Sequence, residues 1–190
     1  MSKSDLQMYL QRGRDSLLWK LEGLGEYDIR RPLVPTGTSL LGLVKHVASV
    51  EAGYLGATFG RPFPEPLPWM DEGAEHNADM YAAADESRDY LTGLYRRIQA
   101  HSDATIAALD LDAPGRVPWW EPAKADVTLH RVLIHMIAET DRHCGHADII
   151  REIIDGAIGW RPDANSLAFA TPEEFQAFHD KIERAARAAS

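Results

Sequence analysis

Apolar side chains recur at three- and four-residue steps along most of this chain, the spacing that lines one face of an α-helix. Leu6, Tyr9, Leu10, Leu17, Leu18, Leu21 and Leu24 predict a first helix from about Asp5 to Leu24, with Ser4 as its N-cap. Leu40, Leu43, Val44, Val47, Val50, Tyr54 and Leu55 predict a second, from about Ser39 to Phe59. Pro62, Pro64, Pro66 and Pro68 then exclude both helix interior and central strand. The acidic stretch from Asp71 to Asp79 reads as loop. A third helix is expected over roughly Glu86 to Leu109, capped by Asp85. A fourth and longest runs from Thr128 to Asp155 and is closed by Gly156. Thr171, Pro172, Glu173 and Glu174 open a short last helix at about 171–188. No segment shows sustained strand alternation. The pattern predicts an all-α four-helix bundle with an additional C-terminal helix. The whole chain, 1–190, is expected to form one domain with its core over about 5–160.

Charge and composition narrow the function. Among 190 residues, 29 acids face 20 lysines and arginines, a net charge of −9. That balance argues against nucleic-acid binding and against attraction to an anionic membrane. The apolar runs fall far short of the roughly 20 residues that a membrane span needs. The first residues turn amphipathic at once, so no signal peptide is expected. Cys144 stands alone and can form no internal disulfide. The expectation is a cytoplasmic protein with a small-molecule substrate, and the leftover amphipathic helix leaves a homodimer open.

The fourth helix carries the sharpest chemical signal. Val132, Met136, Glu139, His143, His146, Ile150 and Ile153 follow steps of 4, 3, 4, 3, 4 and 3, the seam of a bundle helix. Its ends are apolar and its middle is a glutamate with two histidines, which need partners once buried. On the second helix, His46 points with Leu43 and Val50. His46, Glu139 and His143 could together bind a divalent metal and leave positions open. The competing reading is a core histidine at 46 and a helix-surface ion pair between Glu139 and His143. His146 would be a fourth ligand or a catalytic acid/base. His135, Glu51 and Tyr54 are candidates for orienting the ligands. Trp69, Trp119 and Trp120 could wall a pocket or cap the bundle. His76, His101, His130 and His179 read as surface residues, as do the Arg30–Arg31 and Arg96–Arg97 pairs. Arg12, Arg14, Arg30 and Arg142 could hold an anion. Cys144 reads as an inert thiol.

The run Leu40 to Val47, Glu51, and the run Arg142 to Glu152 resemble the DinB-like superfamily, and within it the mini-circle-type branch (DUF664). Leu18 to Leu24 and Arg31 to Thr38 resemble the same branch. The resemblance covers about residues 5–160. It implies a four-helix bundle of up-down-down-up order with a metal held between helices. Many such proteins use three histidines. Here His46 and His143 match two of them, and Glu139 stands in the place of the third. That departure resembles the mycothiol-dependent maleylpyruvate isomerases, whose metal set is two histidines and a glutamate. The resemblance implies a thiol-dependent, mycothiol-type S-transferase or isomerase acting on a small electrophile. Its cofactors would be a divalent metal, zinc or nickel before iron or manganese, and a low-molecular-weight thiol. The alternatives are a non-enzymatic metal-stabilised bundle and a metal-assisted hydrolase.

Overall fold

The computed structural model describes residues 2–162, 164 and 171–189. In chain order its elements are α1 (Lys3–Trp19), α2 (Glu26–Arg30), α3 (Leu40–Tyr54), α4 (Arg88–Ala108), β1 (Pro114–Arg116), β2 (Asp126–Thr128), α5 (Leu129–Asp155) and α6 (Pro172–Ala188). The long helices α1, α3, α4 and α5 form the expected all-α, DinB-like bundle. α1 packs mainly on α5, and α3 lies against both α4 and α5. No helix among the described residues is long and apolar enough to cross a membrane.

Capping chemistry sets the helix ends and moves several of the expected boundaries. α1 starts earlier than expected, because Ser2 rather than Ser4 caps it, in a reciprocal capping box with Asp5. It also stops at Trp19. Leu21 and Glu22 bond back three residues instead of four, so the helical apolar spacing runs on into a turn. α3 keeps Ser39 as its cap but ends at Tyr54, ahead of a 3-10 turn at Ala57–Phe59. Ser87, not Asp85, caps α4. α5 runs from its Thr128 cap to Gly156, which adopts the left-handed φ of 77° expected at that stop. α6 starts with the Thr171–Glu174 capping box and Pro172. The structure adds a two-stranded antiparallel ribbon, β1–β2, pairing Gly115 with Val127. Three residues per strand are too few to show alternation.

Two apolar clusters fill the bundle. One gathers Leu17, Val47, Ile98 and Ala147, and the other Leu10, Leu55, Ile106 and Met136. On each helix a buried polar residue lies between the two: Arg14 on α1, Glu51 on α3, Ser102 on α4 and Thr140 on α5. The core is therefore split at mid-height by a polar level. One stripe of the α5 seam, Met136, His143 and Ile150, stays buried, while the other turns outward from buried Val132 through half-buried Glu139 to exposed His146 and Ile153, the last 57% exposed. A strict heptad drifts about 20° per repeat on a straight helix, and three repeats carry Ile153 out of the core.

Candidate metal centre

Just beside the polar level, α3 and α5 bring His46, Glu139 and His143 together. The Ser39 cap fixes where α3 starts and so where His46, seven residues on, faces. Glu139 and His143 are one turn apart on α5, and their side chains stack on one face. Glu139 Oε1 lies 3.0 Å from His143 Nε2 and 3.6 Å from His46 Nε2. The two imidazoles meet edge to face, centroids 4.7 Å apart. One donor atom from each of the three lies within 4.8 Å of the others. Bonds of about 2.0–2.1 Å in a tetrahedral zinc site put neighbouring ligand atoms roughly 3.3 Å apart. The two closest separations here bracket that figure, so this donor set fits a divalent ion.

The surroundings favour the protonation states that a metal needs. Burial lowers the pKa of His143, His46 adds to the effect, and the ring is kept neutral. Burial alone would raise Glu139, but His143 and His46 outweigh it and hold the carboxylate below its usual range. His46 Nδ1 is 2.6 Å from Asp79 Oδ2. With its Nδ1–H donated to that carboxylate, His46 turns Nε2 toward Glu139, the arrangement common behind metal-binding histidines. Asp79 was not legible in the sequence, where it is the last acid of a loop. A fold-back of that loop onto α3 puts it there. Arg30 donates to the Ala83 and Glu86 carbonyls, and buried Lys45 to the Tyr81 carbonyl and the Glu86 carboxylate.

The other candidates divide. His146 is exposed, and its Nδ1 lies 3.4 Å from His143 Nδ1, on the side of that ring away from Glu139. Among the described residues the metal-competent group has three members and His146 is not one of them. Glu51 does not orient a ligand: it is fully buried in a two-contact pair with Arg14, whose nitrogens lie 2.6 and 3.1 Å away. Burial pushes the Glu51 carboxyl above its usual range, with Arg14 pulling the other way. Arg14 is thus no anion holder, and Arg12 stacks on Trp160. Arg30 is spent on the loop, and Arg97 pairs with Glu65. His101 is half-buried against the Arg61 carbonyl and Phe63, so it is not a bare surface residue. Cys144 packs onto the Gly13 carbonyl, and burial raises its thiol to about 12, as an inert thiol requires.

Beside Glu139 opens a cavity of about 370 Å³, walled by Val50, Tyr54, Met70 and Trp119 and bordered by His135. Tyr54 and His135 line this space rather than touch the ligand atoms; their rings are 4.5 Å apart. Trp120 donates its indole N–H to the Tyr54 hydroxyl, and Trp69 donates to Ser49. Trp69, Trp119 and Trp120 thus all stand around this side of the bundle.

A helical bundle with a His/Glu/His donor set between two helices, open on one side to a cavity, defines the class as a DinB-like protein with a metal-competent centre. The sequence model of the mycothiol-S-transferase family matches residues 5–156, and the chain belongs to that family. Among curated proteins no match was found.

Proposed function

We propose that this protein is a metal-dependent S-transferase that joins a low-molecular-weight thiol of the mycothiol type to a small electrophile. The observation that carries the reading is the convergence of His46, Glu139 and His143 beside an open cavity. In this reading the three residues hold a divalent ion, zinc or nickel before iron or manganese. When bound, the ion supplies Lewis acidity that makes a thiol more acidic at neutral pH.

The chain's own residues do the rest. Asp79 fixes the His46 ring, and His146 holds His143 at Nδ1. His146 lies beyond the far side of that ring, so the thiol proton leaves directly to water through the open cavity. The thiol sulfur then bonds to the electrophilic carbon, and the leaving group departs with the electron pair of its broken bond. A closed structural site would need a fourth protein donor, and His146 faces the wrong nitrogen of His143 to supply one. The kinship with the mini-circle-type branch belongs to the same proposal.

The test is conjugation of mycothiol to a chromogenic electrophile by the purified protein. Activity should disappear on chelation, return with added metal, and be lost in His143→Ala. Glutathione and bacillithiol run in parallel identify the thiol. A fully metallated protein that conjugates none of the three thiols to any electrophile would refute the reading.

A further inference from the structure

The cavity beside Glu139 has a composition of its own. Tyr54, Trp119, Met70 and Val50 give it flat and apolar walls, and none of the described residues lining it is lysine or arginine. Its acidic lining residue is Glu139, at the edge that meets the metal-competent centre. The nearby guanidinium of Arg131 is engaged on the Trp120 ring. At about 370 Å³ the space lies near the small end of ligand pockets. It is too apolar to reward burying a polyol.

Trp119 is the wall most evidently built in. It sits in the loop between β1 and β2 and is 53% exposed, so it is no core residue. Its position is nevertheless fixed. The ring packs edge to face on Tyr54, centroids 5.0 Å apart, and its outer edge lies directly over Gly53. A Cβ at position 53 would come within 2.8 Å of the indole, so the absence of a side chain on α3 makes this seat. Met70, from the 3-10 turn at Pro68–Met70, stands 51% exposed at the same cavity. An aromatic ring and a thioether left half in water beside a metal-competent centre form a surface suited to stacking on a flat apolar group.

We infer that this cavity is the electrophile's subsite, that it takes a flat aromatic or conjugated ring system, and that Trp119 is its specificity-determining wall. The inference rests on the transferase reading for the word electrophile, but the binding it describes needs no turnover. The thiol's sugar portion binds elsewhere.

Three probes test this by calorimetry on the metal-loaded protein. They are 2-naphthol as the flat ring, decahydro-2-naphthol as its saturated, non-planar counterpart, and N-acetylglucosamine for the thiol's sugar. The flat ring should bind about tenfold more tightly than its saturated counterpart, the sugar should not compete with it, and Trp119→Ala should cost about tenfold. Trp119→Phe should recover most of that loss. Trp160→Ala, which alters the separate cavity between α1 and α5, should change nothing. Equal or tighter binding of the saturated alcohol, competition by the sugar, or unaltered affinity in Trp119→Ala would each overturn the inference. Kinetics separate the two claims. Conjugation that proceeds with the KM for ring electrophiles untouched by Trp119→Ala sinks this inference and leaves the transferase standing. Ring binding as described, without conjugation of any thiol, does the reverse.

Discussion

Two glutamates show how position decides what a carboxylate is for. Glu51 is sealed in the core against the Arg14 guanidinium, and its contribution is structural. Glu139 is a quarter exposed, shared between two imidazoles, and available to a ligand. The difference should appear in stability. Glu51→Ala leaves Arg14 buried with only Gln11 and half-exposed Asp103 for company. Breaking a buried pair from one side costs about 3–5 kcal/mol, and urea unfolding of the metal-free protein should show a loss in that range. Glu139→Gln keeps shape and hydrogen bonding and should cost far less in the same measurement. A Glu51→Ala protein as stable as the parent would mean that Arg14 is satisfied without it. Both glutamates sit on apolar-spaced helices and look alike in sequence. The partner of Glu51 lies 37 positions away on another helix, which no local spacing reveals.

At the scale of elements, the site depends on the long connection between α3 and α4 as well as on the helices. That connection crosses α3 so closely that a Cβ on Gly42 would run into the Met80 carbonyl, adjacent to Asp79. Gly42→Ala should therefore push the loop off and spoil the Asp79–His46 contact, while Asp79→Asn should weaken the contact without moving the chain. Loss of an outer partner of a metal-binding histidine typically costs 10–100-fold in affinity. Competition with a chromophoric chelator should show losses of that order in both variants, with helix content unchanged. An Asp79→Asn protein of full affinity would show that Asp79 gives the metal site no support. The helices and three donors were legible in the sequence because helical periodicity places residues on faces. Asp79, the β1–β2 ribbon and the seat of Trp119 were not, because each depends on how an irregular segment folds back. Of the α5 seam, Met136, His143 and Ile150 were legible, whereas His146 and Ile153 face solvent, because helical twist outruns the heptad.

For the molecule as a whole, the bundle separates its tasks by depth. Two apolar clusters and the Arg14–Glu51 level hold the helices together, so the group at His46, Glu139 and His143 need not stabilise the fold. It can stay open toward the cavity by Trp119. The chain belongs to the mycothiol-S-transferase family, and in the proposed function these three side chains, one from α3 and two from α5, hold the metal. Metal content per chain after exhaustive dialysis tests that most directly. The parent should retain one divalent ion per chain. His46→Ala and His143→Ala should retain none, Glu139→Gln should be strongly depleted, and His146→Ala should keep most of its metal. If His146→Ala strips the ion while Glu139→Gln holds it at full occupancy, the site is a three-histidine one and Glu139 is not a ligand.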